Sequence, residues 1–218
     1  MSTIPLITSA DGFEVVRDAV ASIIASEVIN QKAQAVAGGF DPSLWDIDVY
    51  AERSNPFELF RDNVVQSPLV NVWYDNSSTE LNSSNLGVSQ MMNSVINIDC
   101  VASGVSKETS TGHIPGDEDA ARTAHRVARI VRGILMHGKY RYLGMPAVVG
   151  RRFVSSRNAF QPQSGNQTVQ RVVGVRISLT VDHVETIGIE DYAELERVFI
   201  VHRHSPAGMI IASQDINF

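Results

Sequence analysis

The stretch from Asp117 to His137 constrains this chain more than any other. Ala120, Ala124, Val127, Val131 and Ile134 recur at steps of three and four, on one face of a helix, and Ala121, Ala128, Ile130 and Leu135 widen that face. Pro115 and Gly116 stop what precedes it, and Gly138 ends it. Asp117, Glu118 and Asp119 sit where the helix dipole is positive, Arg132 and His137 where it is negative. Burying the larger apolar side chains of this stripe contributes on the order of 10 kcal/mol, an upper bound against an extended chain. A second layer, sheet or helix, has to cover it.

The rest of the chain supplies candidates for that layer. Phe13, Val16, Val20, Ile23, Ile24 and Val28 keep helical spacing, which predicts a first helix over about residues 12 to 36. Asp11 and Glu14 have the spacing of a capping box, and Gly38 and Gly39 break the pattern. Between Phe40 and Arg61, Ile47, Val49 and Ala51 alternate as a short strand. Leu69 to Tyr74 reads as a strand with Val70 and Val72 on one face and Trp73 on the other. Ser94 to Ala102 is a half-buried strand, with Ile96, Ile98 and Cys100 opposite Asn97 and Asp99, and Val148 to Val154 is another. Val169 to Val184 alternates longest: Val173, Val175, Ile177, Leu179 and Val181 share one face, Arg176, Ser178, Thr180 and Asp182 the other. That pattern predicts a long antiparallel strand with one wet face, pairing with Val148 to Val154. Ser- and Asn-rich Asp75 to Gln90, Ser103 to Gly116 and Ser155 to Gln170 read as polar loops. After Gly188 come a short helix candidate at Asp191 to Glu196, a strand around Val198 to His202 and the apolar run Met209 to Ala212.

Composition narrows the class of protein. Of 218 residues 44% are hydrophobic and 19% charged, which suits a folded domain with a substantial core. A net charge of -6 argues against a dedicated nucleic-acid binder. Fifteen of the 18 basic residues are Arg, a residue suited to directed interface contacts, which hints at assembly. Cys100 has no possible disulfide partner and reads as a buried structural thiol. Met1 to Thr8 lacks the basic start and apolar core of a secretion signal, and no run reaches the roughly 18 apolar residues of a spanning helix, so synthesis in the cytoplasm is expected.

Catalytic patterns are hard to find. No phosphate-binding loop, dinucleotide fingerprint, nucleophile elbow or zinc helix signature is present. His202 and His204 share a strand face and His183 could approach them, but neither a third ligand nor groups to orient the ligands are evident, so no metal or cofactor is assigned. His125 reads as a polar-face residue of its helix. Arg122, Arg126 and Arg129 form a basic stripe at steps of four and three, fit either for solvent or for an acidic neighbour. No aromatic residues interleave with it to stack bases, so protein ranks above nucleic acid as its partner.

The order of elements carries a resemblance. It consists of the early amphipathic helix, the strand Leu69-Val70-Asn71-Val72-Trp73-Tyr74 behind Pro68, and the strand Ser94 to Ala102. The Asp-rich start and Ala-rich body of the long helix follow, then the Arg151-Arg152-Phe153 strand, the polar loop with Phe160 and Pro162, and the strand Arg171 to Val184. Over about residues 10 to 186 this order resembles the tail terminator (tail completion) proteins of long-tailed bacteriophages. The resemblance implies an α/β subunit of the α+β type, a mostly antiparallel β-sheet flanked by two long α-helices. Residues 1–187 form the terminator-like domain, with an insertion at about 38–62, and residues 188–218 a C-terminal extension. It implies a homohexameric ring that caps the head-proximal end of the tail tube, stops its polymerisation and offers a docking surface to the head–tail connector. Expected partners are further copies of the chain, the tail tube protein, a connector or neck protein and, in a contractile tail, the sheath protein. DNA passes through the ring without sequence-specific binding. No enzyme activity, cofactor or membrane is implied, and the place of action is the tail of the virion, after synthesis in the host cytoplasm.

Candidate interface residues are Arg122, Arg126, Arg129, Arg151, Arg152, Phe160, Asn82, Asn85, Phe199 and Ile210. Asn82 and Asn85 lie in one polar loop expected to make axial contacts and Phe160 in another, while Phe199 and Ile210 lie in the extension, where an edge strand could join a partner. Competing expectations are a head-closure ring, a tail tube subunit or, from another class, a small metal-dependent enzyme built on His183, His202 and His204.

Overall fold

The computed structural model describes residues 11–60, 67–79, 89–110, 112–161, 171–186, 197–204 and 209–217. The chain separates into two units, one within residues 9–186 and one containing the last two strands. In the first unit come α1 (Phe13–Ala37), a 3-10 turn (Pro42–Trp45), β1 (Asp48–Ala51), a second 3-10 turn (Pro56–Phe60), β2 (Leu69–Thr79) and β3 (Ser89–Gly104). They are followed by β4 (Lys107–Thr109), β5 (Gly112–Ile114), α2 (Gly116–Met136), a 3-10 turn (Gly138–Tyr140), β6 (Val149–Phe160) and β7 (Arg171–Thr186). The second unit pairs β8 (Arg197–His204) with β9 (Met209–Asn217) in antiparallel.

The architecture is α+β, with two helices and a mixed five-stranded sheet in the order β1-β2-β3-β7-β6. β1 runs parallel to β2, and the other three pairs are antiparallel. The parallel pair follows from the connection after Ala51, which is long enough to carry the chain back past the sheet before β2 starts. Both helices lie on one face. α1 packs on β1 and β2 and α2 on β3 and β7. The alternating apolar residues of the strands meet them there: Val70, Val72, Ile96, Ile98, Cys100, Val175, Ile177, Leu179 and Val181 are buried with Val16, Val20 and Ile24 of α1 and Ala124, Val127 and Val131 of α2. Packing is closest where α2 begins. A Cβ on Gly104 would sit 2.5 Å from the backbone nitrogen of Ala120 and nearer still to the carbonyl oxygen of Gly116.

Several loops expected from polarity are strands. β2 continues through Ser77 to Thr79, β3 starts at Ser89, and β6 carries Ser155 to Phe160, because β3 and β7 supply backbone partners along their whole lengths. Ser and Asn favour turns when the backbone has no better partner, and here it has one. Ser103 to Gly116 contains the β4–β5 hairpin. The capping box at Asp11 and Glu14 does not form. The Asp11 carboxylate accepts the backbone N–H of Thr186 at 2.8 Å, and the first amide of α1, Phe13 N–H, donates to Glu185 Oε1 at 3.2 Å. The start of α1 is thus tied to the end of β7 by carboxylates that a local spacing rule does not see. The helix candidate Asp191 to Glu196 lies outside the described residues.

Candidate functional site

Two strand faces leave the first unit with one covered side and one open side. On the open side of β3 and β7, the residues facing away from the helices are Asn93, Asn97, Asp99, Arg176, Ser178, Thr180 and Asp182, flanked by Asn71 and Trp73 of β2 and Ser156 and Asn158 of β6. Asp99 is 4% exposed, and its carboxylate accepts from Arg176 Nε at 2.7 Å, Arg176 Nη2 at 3.0 Å and Trp73 Nε1 at 3.0 Å. The Arg176 guanidinium lies over the Trp73 ring at 4.8 Å and the Phe160 ring at 5.3 Å. It is held charged above its ordinary range, chiefly by hydrogen bonding to Asp99. Ser178 Oγ donates to Asn97 Oδ1 at 2.8 Å and Ser156 Oγ to Ser178 Oγ at 3.0 Å, while Asp182 accepts from Asn93 Nδ2 at 2.6 Å and Arg151 Nε at 2.8 Å. This face is therefore polar but satisfied from within, and nearly dry at its centre, where the sequence suggested a simply wet one.

At one end of the same face the insertion forms a small apolar cap: Phe60 of the second 3-10 turn packs with Leu69 and Val101, against Tyr50, Phe57 and Val172. Phe57 and Phe160 meet edge to face, with ring centroids 6.0 Å apart.

The residues singled out from sequence have divergent placements. Arg122, Arg126 and Arg129 are all exposed on α2. Arg122 is ion-paired to Glu118 one turn earlier, while Arg126 is close enough to Asp41 to help hold that carboxyl below its usual range, after the hydrogen bonds from Ser43. Arg151 and Arg152, as neighbours on a strand, point to opposite faces, and an extra residue in β6 between Val149 and Arg152 decides that Arg152 is the one on the helix side. Arg151 faces the open side, 72% exposed. Arg152 turns under the sheet and caps α2, donating from Nε to the carbonyl of Leu135 at 2.8 Å, from Nη2 to that of His137 at 3.0 Å, and from Nη1 to that of Arg141. In the single chain the Arg152 guanidinium is committed to the orphan carbonyls of the helix end. The loop placement of Phe160 is a correction. It stands in β6, on Gly174 of β7, where a Cβ would collide with its ring. Asn82 and Asn85 lie outside the described residues. Phe199 falls in β8 and Ile210 in β9, paired through the register Phe199 to Asp215 and Arg203 to Ile210.

His183 is fully buried on the helix side of the sheet. Its Nδ1 lies 3.2 Å from the carbonyl oxygen of Asp11, which can only accept, so Nδ1 donates there, and Nε2 shares a hydrogen bond with Ser94 Oγ at 2.8 Å. Ser94 is linked in turn to Ser77, which accepts from the Tyr74 hydroxyl at 3.0 Å. With both nitrogens engaged and no route to solvent, this histidine holds the end of β7 and the residue before α1 together. Among the described residues no group of three or more His, Cys, Asp and Glu is placed to hold a metal, and no helix is long and apolar enough to cross a membrane. Cys100 is buried, and burial followed by the Asp99 charge pushes its thiol well up. Sequence reasoning missed Asp48 and Arg157, which stand exposed on the two outermost strands, β1 and β6, with no ion pair among the described residues. Comparison with family models finds no match to this chain, and comparison with curated proteins finds none either.

Proposed function

We propose that this chain is a structural virion protein, a tail terminator of a long-tailed phage. In this reading it forms a hexameric ring on the head-proximal end of the tail tube, stops polymerisation there and presents a docking surface to the head connector. The subunit is read as a mostly antiparallel sheet flanked by two long helices, as the resemblance implies. The observation that carries the reading is the two-sided sheet. Its helix-covered face supplies a stable core, and its other face is an internally satisfied array of amides, hydroxyls and neutralised ion pairs. Such a face suits the wall of a channel through which DNA slides, because Arg176 and Arg151 are engaged by carboxylates and do not form an open cationic groove that would grip phosphate.

The tail tube protein and the connector are the expected axial partners, and the β8–β9 hairpin the expected contact to a sheath protein in a contractile tail. An isolated two-stranded hairpin is marginally stable alone, so β8–β9 is expected to gain further strands from something else. The test is to add the purified protein to polymerising tube subunits from the same phage. Growth should stop at one end at substoichiometric protein, and unaltered tube lengths would refute the reading. A chain lacking residues 190 to 218 should still cap tubes but fail to hold sheath.

A further inference from the structure

Between Asp119 and Asp182 the chain carries 11 of its 18 basic residues and no Asp or Glu. Most of the described cations in that stretch find partners all the same. Arg122 pairs with Glu118, Lys139 with Glu27, Arg151 with Asp182 and Arg176 with Asp99, while Arg152 serves the carbonyls at the end of α2. Arg129 and Arg132 do not. Both stand exposed in the last two turns of α2 with no ion pair among the described residues, and Arg126, one turn earlier, interacts only through the field of Asp41. At the helix end and just beyond it, Met136 and Tyr142 are 40% and 37% exposed, and the Arg141 guanidinium lies over the Tyr142 ring at 5.2 Å. Unpaired arginines beside exposed Met and Tyr have the composition of a protein interface.

The same chain holds the complement. Residues 187–196 read Ile-Gly-Ile-Glu-Asp-Tyr-Ala-Glu-Leu-Glu, with carboxylates at Glu190, Asp191, Glu194 and Glu196, no cation, and Tyr192 and Leu195 between them. This stretch joins β7, which ends at Thr186, to β8, which starts at Arg197 and belongs to the second unit. β7 ends near the C-terminus of α2: Arg152, level with Val181, donates to the carbonyls of Leu135 and His137, and Thr186 lies five residues farther along the strand. The acidic stretch therefore leaves the sheet at the end to which Arg129 and Arg132 are nearest, and ten residues span up to about 35 Å when extended. In the single chain Arg129 and Arg132 nonetheless stay exposed.

We propose that the acidic segment Glu190 to Glu196 of one copy docks on the arginine face of α2 in the next copy. This rests on the ring reading and adds an arm to its lateral contacts. Clusters of arginine recognise acidic motifs because each forked guanidinium makes charge-assisted hydrogen bonds to a carboxylate. Tyr192 and Leu195 of the arm supply apolar surface for Met136 and Tyr142. The contact is head-to-tail, since the arm and the face that receives it are different surfaces of every copy, and it closes into a ring when the rotation does. Tube capping does not depend on the arm alone, because the tube end itself gathers the subunits.

The test uses full-length chains and sedimentation velocity over a range of concentration. One variant combines Arg129→Glu with Arg132→Glu, the other Glu190→Arg with Glu194→Arg. Each should raise the concentration needed for assembly by about tenfold or more, since each sets like charges across every contact. A one-to-one mixture of the two should recover assembly, because every arm then finds a face of opposite sign on the other variant, and that recovery also shows both variants to be folded. A chain with all four substitutions should recover it as well. If that chain assembles but the mixture does not, the arm lies on its own α2 and the contact between copies is wrong. Variants that assemble as readily as wild type overturn it too, while the ring reading stands. A wild type that stays monomeric throughout overturns the arm contact, and tube capping then decides the function separately.

Discussion

Asp99 shows how much one side chain organises on this sheet. Its carboxylate binds the forked guanidinium of Arg176 and the indole of Trp73 while almost excluded from water. Removing it strands a guanidinium that is 37% exposed, so part of the usual cost of an orphaned buried charge is relieved by solvent. Asp99→Ala should cost about 2 kcal/mol, read as a shift in urea midpoint. Glu27 supplies a pH signature. The Tyr140 hydroxyl, then Gln31, then Lys139 hold its carboxylate down to about 2 from an ordinary 4.5. A carboxyl whose folded value is depressed stabilises the fold above its unfolded value, and that contribution is lost as pH falls through the folded one. Stability should therefore drop between about pH 4.5 and 2, and Glu27→Gln should flatten that limb in urea titrations at pH 5 and pH 2.5. Neither residue announces its role in the sequence. Asp99 reads there as one polar position of an alternating strand, and Glu27 as a helix surface residue, because their partners are tens of residues away.

Periodicity made the two helices and the strand cores legible, since Val16, Val20 and Ile24 or Val173, Val175 and Ile177 repeat within a few residues of one another. Strand ends were not legible. Ser77 and Ser156 look like loop residues until β3 and β7 are there to pair with them. The fates of Arg151 and Arg152 hang on a one-residue bulge, which shifts the alternation by one and leaves no trace in composition. Arg152→Ala should lose about 1 kcal/mol and speed amide hydrogen exchange in the last turn of α2. Arg152→Lys should restore little, because an ammonium cannot span three carbonyls as the fork does. At the other end of α2, Gly104 and Gly116 let the first helical turn lie against β3, backbone on backbone. Gly104→Ala should cost about 3 kcal/mol, at the upper end for overpacking because no flexible side chain can yield, and should lower the thermal midpoint accordingly.

At the scale of the molecule, the first unit is two-layered, with one sheet face covered by both helices and the other a polar face whose side chains are largely paired among themselves. The covered face explains stability, and on the proposed reading the open face passes a polyanion without holding it. Strand order was not legible in the sequence, since β1 and β6 take the ends of the sheet only once β2, β3 and β7 have paired between them. The most direct test of the proposed function is to inactivate this gene in its source genome and measure tail lengths of the resulting particles by negative-stain electron microscopy. Over-long or variable tails, detached from filled heads, are the predicted result. Normal-length tails joined to heads, with infectivity intact, would contradict it.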